Sequence, residues 1–120
     1  MPISILHIGL PLDHPLIPEG ERAKIRRRLG DLQQRMRDAG YCYEIVHASP
    51  DTGLDDFREQ LKTHRYDGVL IGGAVAGDLS LRGFMEQIIA ITHAAAPKAK
   101  VMFFDHAVDV RETVKQAFRS

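Results

Sequence analysis

Histidine follows a carboxylate twice in this chain, as Asp13-His14 and as Asp105-His106. A third histidine, His47, stands just before Ser49-Pro50-Asp51. Imidazole and carboxylate together bind divalent metals or move protons near neutral pH. No two of these residues have a diagnostic ligand spacing such as H-E-x-x-H, so the sequence names no metal. A different chemistry is offered by Gly72-Gly73-Ala74-Val75-Ala76-Gly77-Asp78. A glycine-rich turn ahead of a helix presents backbone N–H groups to an anion. This stretch is neither G-x-G-x-x-G nor G-x-x-x-x-G-K-[ST], and Asp78 puts negative charge where a phosphate would sit. Tight turns and close helix–strand packing are the plainer use of such glycines.

The elements that position these residues are legible. Four apolar runs read as strands: Ile3 to Leu10, Tyr41 to Ala48, Tyr66 to Ile71 and Lys100 to Phe104. The run YDGVLIGG is almost continuously apolar, as a strand covered on both faces requires. Ile25, Leu29, Leu32 and Met36 recur every three or four residues and form one stripe of a helix that Gly40 ends. A second helix carries Leu54, Phe57 and Leu61, with Asp51 or Thr52 expected as its cap. A third runs from Ser80 to Ala95, turns Leu81, Phe84, Met85, Ile88, Ile89 and Thr92 inward, and stops before Pro97. The last begins at Asp109, which has capping-box spacing to Glu112, and buries Val110, Val114, Ala117 and Phe118.

Strands and helices therefore alternate through residues 1–120 as one domain. Alternation of this kind predicts an α/β three-layer sandwich with right-handed crossovers. The expected sheet has four parallel strands in the flavodoxin-like order 2-1-3-4, and ligands bind beyond the carboxyl ends where the order reverses. That edge gathers the loop Pro11 to Pro18, the Gly72 to Asp78 turn and Asp105-His106. Strand 2 lies at the far edge, so the expected site is Asp13, His14, Gly72, Gly73, Gly77, Asp105 and His106. Bland roles compete with it. Asp51 and Asp105 suit caps, and Leu16 and Ile17 suit a loop that only covers apolar surface. His7 reads as a hydrogen-bonded core histidine, His64 and His93 as cations near helix C-termini, and Cys42 as a small buried hydrophobe.

Composition narrows the classes. Sixteen basic residues balance sixteen acidic ones, so no global field draws the chain to nucleic acid or to an anionic membrane. The arginines of the first helix alternate with Glu19, Glu21, Asp31 and Asp38 and read as a solvated face. With one cysteine no internal disulfide forms, which suits a reducing, cytoplasmic setting. The opening MPISILHIGL has no basic leader and reads as neither signal peptide nor membrane span.

Known ligand signatures are missing. After strand 1 stands Leu10-Pro11-Leu12 in place of a hydroxyl-rich flavin-phosphate loop, strand 3 ends in Gly72 rather than a receiver aspartate, and D-x-H-x-x-G and G-x-S-x-G are lacking. From Tyr66 onward, however, YDGVLIGG, ITHAAAPKAKVMF and DVRETVKQAF resemble a family of small uncharacterised bacterial proteins with a flavodoxin-like or Rossmann-like fold. The likeness covers the last half and is clearest at His93-Ala94-Ala95-Ala96-Pro97. Members tend to carry asparagine or threonine in the loop after the last strand, where this chain has Phe104-Asp105-His106. The resemblance implies a fold and a bacterial origin but no activity and no cofactor.

Three functions compete. One is a binding domain for a small phosphorylated ligand or nucleotide at the carboxyl edge. Another is a hydrolase using histidine and aspartate at the same edge. The third is a non-enzymatic assembly protein, a homodimer joined through strand 4, Val101-Met102-Phe103-Phe104, or through the very apolar third helix.

Overall fold

The computed structural model describes residues 3–105 and 107–118. Its sheet contains β1 (Ser4–Gly9), β2 (Cys42–His47), β3 (Gly68–Ile71) and β4 (Lys100–Phe103). All pairs are parallel and the order is β2-β1-β3-β4. The chain is thus an α/β sandwich of the flavodoxin-like order. Among the described residues no helix is long and apolar enough to cross a membrane.

Side chains alternate across the strands, so each strand feeds two layers. Leu6, Ile8, Val69 and Ile71 join Phe57 and Leu61 of α2 (Leu54–Thr63) and Phe84, Ile88 and Ile91 of α4 (Arg82–Ala95). Ile5, Tyr43, Leu70 and Met102 join Leu32 and Met36 of α1 (Arg22–Asp38) and Val110 and Val114 of α5 (Val110–Ala117). Each fully buried aliphatic or aromatic side chain among these contributes about 1.5–3 kcal/mol. β1 is central, with both faces covered, and its four middle residues are all buried. The register sets Ile5 beside Tyr43, His7 beside Ile45 and Gly9 beside His47.

Three local readings change. The glycine-rich stretch after β3 is no open turn but a four-residue helix, α3 (Gly73–Ala76). Asp78 follows it and caps the next 3-10 turn, accepting from the Ser80 amide at 2.9 Å and the Ser80 hydroxyl at 2.7 Å. These bonds hold its carboxyl below the usual range. Asp51 and Thr52 do not cap α2. The Ser49 hydroxyl instead takes both their amides, at 3.2 and 3.1 Å, and Gly53, at φ +89°, turns the chain into the helix. Cys42 is exposed rather than buried, because β2 is an edge strand and its outer positions Cys42 and Glu44 face solvent. The apolar surplus of α4 also finds a home, since Met85 and Ile89 pack against the core beside Phe84 and Ile88.

Two glycines predict opposite signs. A Cβ at Gly53 would stand 2.9 Å from the His47 carbonyl in a left-handed conformation, so Gly53→Ala costs about 1–3 kcal/mol. Gly30 lies exposed inside α1 with nothing within 4 Å of a Cβ, so Gly30→Ala stabilises by about 0.5–1 kcal/mol. Urea unfolding of both variants checks the pair.

Candidate functional site

β1 delivers one polar side chain into the layer beneath α1 and α5. His7 is 3% exposed and lines a cleft of about 850 Å³. The floor is His7, Gly9, Ile45 and Gly72, all on one face of the sheet near its carboxyl end. Leu29 and Leu32 of α1 form one wall, and Phe104, Val108 and Val110 form the other. Arg28, Asp31, Arg35 and Asp109 ring the mouth. The space lies where β1 and β3 send their connections to opposite faces, the position at which such sheets bind ligands.

Glycine makes the floor low. A Cβ on Gly72 would lie 3.0 Å from His7 Nε2 and 3.2 Å from the Ile8 carbonyl, so any side chain there would crowd the histidine. A Cβ on Gly9 would meet nothing within 4 Å, because that position opens on the cleft. The mouth is spanned by one ion pair, Arg35 Nη1 to Asp109 Oδ2 at 3.2 Å, which ties α1 to the start of α5. Asp109 also caps α5 by accepting from the Arg111 amide at 2.8 Å, and that bond chiefly holds its carboxyl below the usual range. Both ends of the ion pair are half exposed, so it adds at most about 1 kcal/mol.

His7 is paired inside the sheet. The Tyr43 hydroxyl lies 2.6 Å from His7 Nδ1, and the rings meet edge to face. Burial first, and His47 second, push the His7 pKa down to about 4. Burial pushes the Tyr43 hydroxyl up. At neutral pH the pair is therefore an uncharged imidazole and an intact phenol. His47, also on the lining, is anchored by its Nδ1 donating to the Leu10 carbonyl at 3.1 Å.

The residues expected at this edge divide. Gly72 and Gly73 line the cleft. Asp13, His14, Gly77 and Asp105 have other surroundings. The Asp13 carbonyl accepts from Arg22, and His14 Nδ1 accepts from the Leu16 amide at 3.2 Å, closing its own turn. Gly77 ends α3, and Asp105 accepts from the Ala107 amide at 2.9 Å. His106 lies outside the described residues. Ile17 of the proline-rich loop is buried against the core while Leu16 is exposed. No group of three histidine, cysteine or carboxylate side chains among the described residues could hold a metal. The His7–Tyr43 pair escaped the sequence reading, although both residues sit on strands expected to be neighbours. The missing signal was the register that puts them on the same face.

The lowered His7 pKa predicts acid sensitivity. An unfolded histidine takes up a proton as pH falls through its usual 6.5, while the folded one stays neutral to about 4. Stability is unaffected above that window and falls inside it, by about 3 kcal/mol in total. His7→Leu combined with Tyr43→Phe removes both polar partners and flattens this component. Urea unfolding of both proteins from neutral pH to pH 4 checks it, and parallel curves would refute the assignment.

The chain matches no protein-family model, no curated protein and no solved structure.

Proposed function

We propose that this protein binds a small organic ligand in the cleft between α1 and α5. One observation carries the reading: a cleft of about 850 Å³ with apolar walls, a glycine floor and a few polar groups sits at the switch point of a parallel sheet. That size and lining match ordinary small-molecule sites. Leu29, Leu32, Phe104 and Val110 suit an apolar or aromatic body, and Arg28, with Arg35 once released from Asp109, suits an anionic group such as phosphate. Nucleotides and other phosphorylated metabolites are therefore the first class to try. A hydrolase built on histidine and aspartate at the same edge has less support, since the His14 ring and the Asp105 carboxylate are each engaged in their own local turn. The exposed thiol of Cys42 fits a reducing compartment and supports a cytoplasmic setting.

Gly9 provides the test. Its Cβ direction is empty and faces the cleft, so Gly9→Leu fills the site without straining the fold. A thermal-shift screen of nucleotides, sugar phosphates and aromatic carboxylates should give stabilising compounds with the wild-type protein and none with Gly9→Leu. Compounds that stabilise both proteins equally would place binding elsewhere, and a screen without any stabilising compound would count against the reading.

A second reading, self-association, is favoured by the β4 edge. β4 pairs on one side only, and Phe103 on it is 45% exposed. Beyond Lys100 at its start, the edge carries no charge, and such an edge invites a second copy. Light scattering should give twice the 13.4 kDa chain mass, and Phe103→Lys should return it to one chain mass. A wild-type protein of single-chain mass would end this reading.

A further inference from the structure

A buried phenol needs an acceptor for its proton. Tyr43 is 1% exposed, and among the described residues its hydroxyl bonds to His7 Nδ1 alone, at 2.6 Å. The phenol keeps its proton, since burial pushes its pKa up, and the imidazole is neutral. A neutral imidazole has one N–H and one bare nitrogen. The Tyr43 O–H therefore donates to Nδ1, and the ring proton resides on Nε2.

Nε2 lies on the other side of the ring, toward Gly72, where a Cβ would stand only 3.0 Å away. Among the described residues none accepts from it. His7 lines the cleft and is 3% exposed, so what little of it is open faces the cleft. A donor open only to the cleft takes its oxygen from water there or from a ligand that displaces that water.

Resting on the binding reading above, we propose that His7 Nε2–H is the ligand-recognising donor of the cleft, locked in that tautomer by Tyr43, and that it selects ligands carrying a carbonyl-type acceptor oxygen at their buried end. The chemistry of the floor favours a neutral oxygen over an anion. An imidazole that stays uncharged offers a dipole and no counter-charge, and a bare anion beneath apolar walls would be poorly compensated. The charged groups stand at the mouth instead, with Arg28 beside the Arg35–Asp109 pair and Asp31. The ligand class is thus an apolar or aromatic body with a carbonyl, amide or ring-carbonyl oxygen inward and any anionic group outward. A nucleobase carbonyl or an aryl ketone meets this description; a simple hydrocarbon does not.

Nitrogen-15 NMR of the histidine rings tests the inference on the unmodified protein. Acetophenone and α-methylstyrene are matched probes that differ by carbonyl oxygen against methylene. At neutral pH, without probe, His7 should show a protonated Nε2 and an unprotonated Nδ1. Both probes should move the backbone amides of Gly9 and Leu29, but only acetophenone should move His7 Nε2. It should also bind about threefold to tenfold more tightly, the range of one neutral hydrogen bond. A proton on Nδ1 overturns the inference. So does equal binding of the two probes with Nε2 unmoved, an outcome that leaves the cleft a binding site. Failure of both probes to move the Gly9 and Leu29 amides at saturating concentration overturns the inference and the binding reading together.

Discussion

A histidine in the middle of a fully covered parallel strand must be satisfied from within the sheet. β1 is hydrogen-bonded on both sides and layered on both faces, so His7 has no route to bulk water except through the cleft. The Tyr43 hydroxyl on the neighbouring strand satisfies one nitrogen. The other nitrogen stands where Gly72 leaves no side chain. An apolar residue would serve the core at least as well as this pair, because a satisfied buried polar pair is roughly neutral in stability against hydrophobic replacements. The polar arrangement therefore reads as a feature of the cleft rather than of the core.

The same constraint shapes the space above it. A sheet face covered by two helices normally closes where their side chains interdigitate. Here Gly9, Gly72 and Gly73 withdraw the floor, while the Arg35–Asp109 pair joins the helices across the mouth. Asp109 serves both parts, capping α5 with one oxygen and holding Arg35 with the other. The start of α5 is thus fixed relative to α1 by local chemistry, and the gap between them has defined walls. The proline-rich loop contributes Ile17 to the cleft wall and the core.

The fold was legible because each signal was local and redundant. The strand runs, the Leu32 and Met36 stripe, Gly40 at the end of α1 and Asp109 at the start of α5 each declare an element without reference to the rest of the chain. Alternation of those elements then leaves few topologies. The cleft was half legible. Sheet order pointed to the carboxyl edge and to Gly72 and Gly73, but it could not say which loop side chains turn inward. His14 satisfies its own turn, a choice made by backbone geometry that residue type does not encode. His7 was recognised as a buried, bonded histidine, yet its partner depends on the register Ile5 to Tyr43, and a shift of one residue would put Tyr43 on the opposite layer. Asp51 and Thr52 were misplaced for a similar reason. The Ser49 hydroxyl gathers the amides of Asp51 and Thr52 into a turn of its own, and glycine at +89° makes the helix start that residue preferences assign elsewhere.

Everything distinctive here follows from His7 being enclosed and uncharged. Its ring titration, followed by NMR in the intact protein, tests that state directly. The imidazole should remain neutral through the physiological range and take up its proton only near pH 4. Titration at the ordinary histidine value of 6.5 would contradict it, because the ring would then be solvated, free of Tyr43 and no part of an apolar cleft floor.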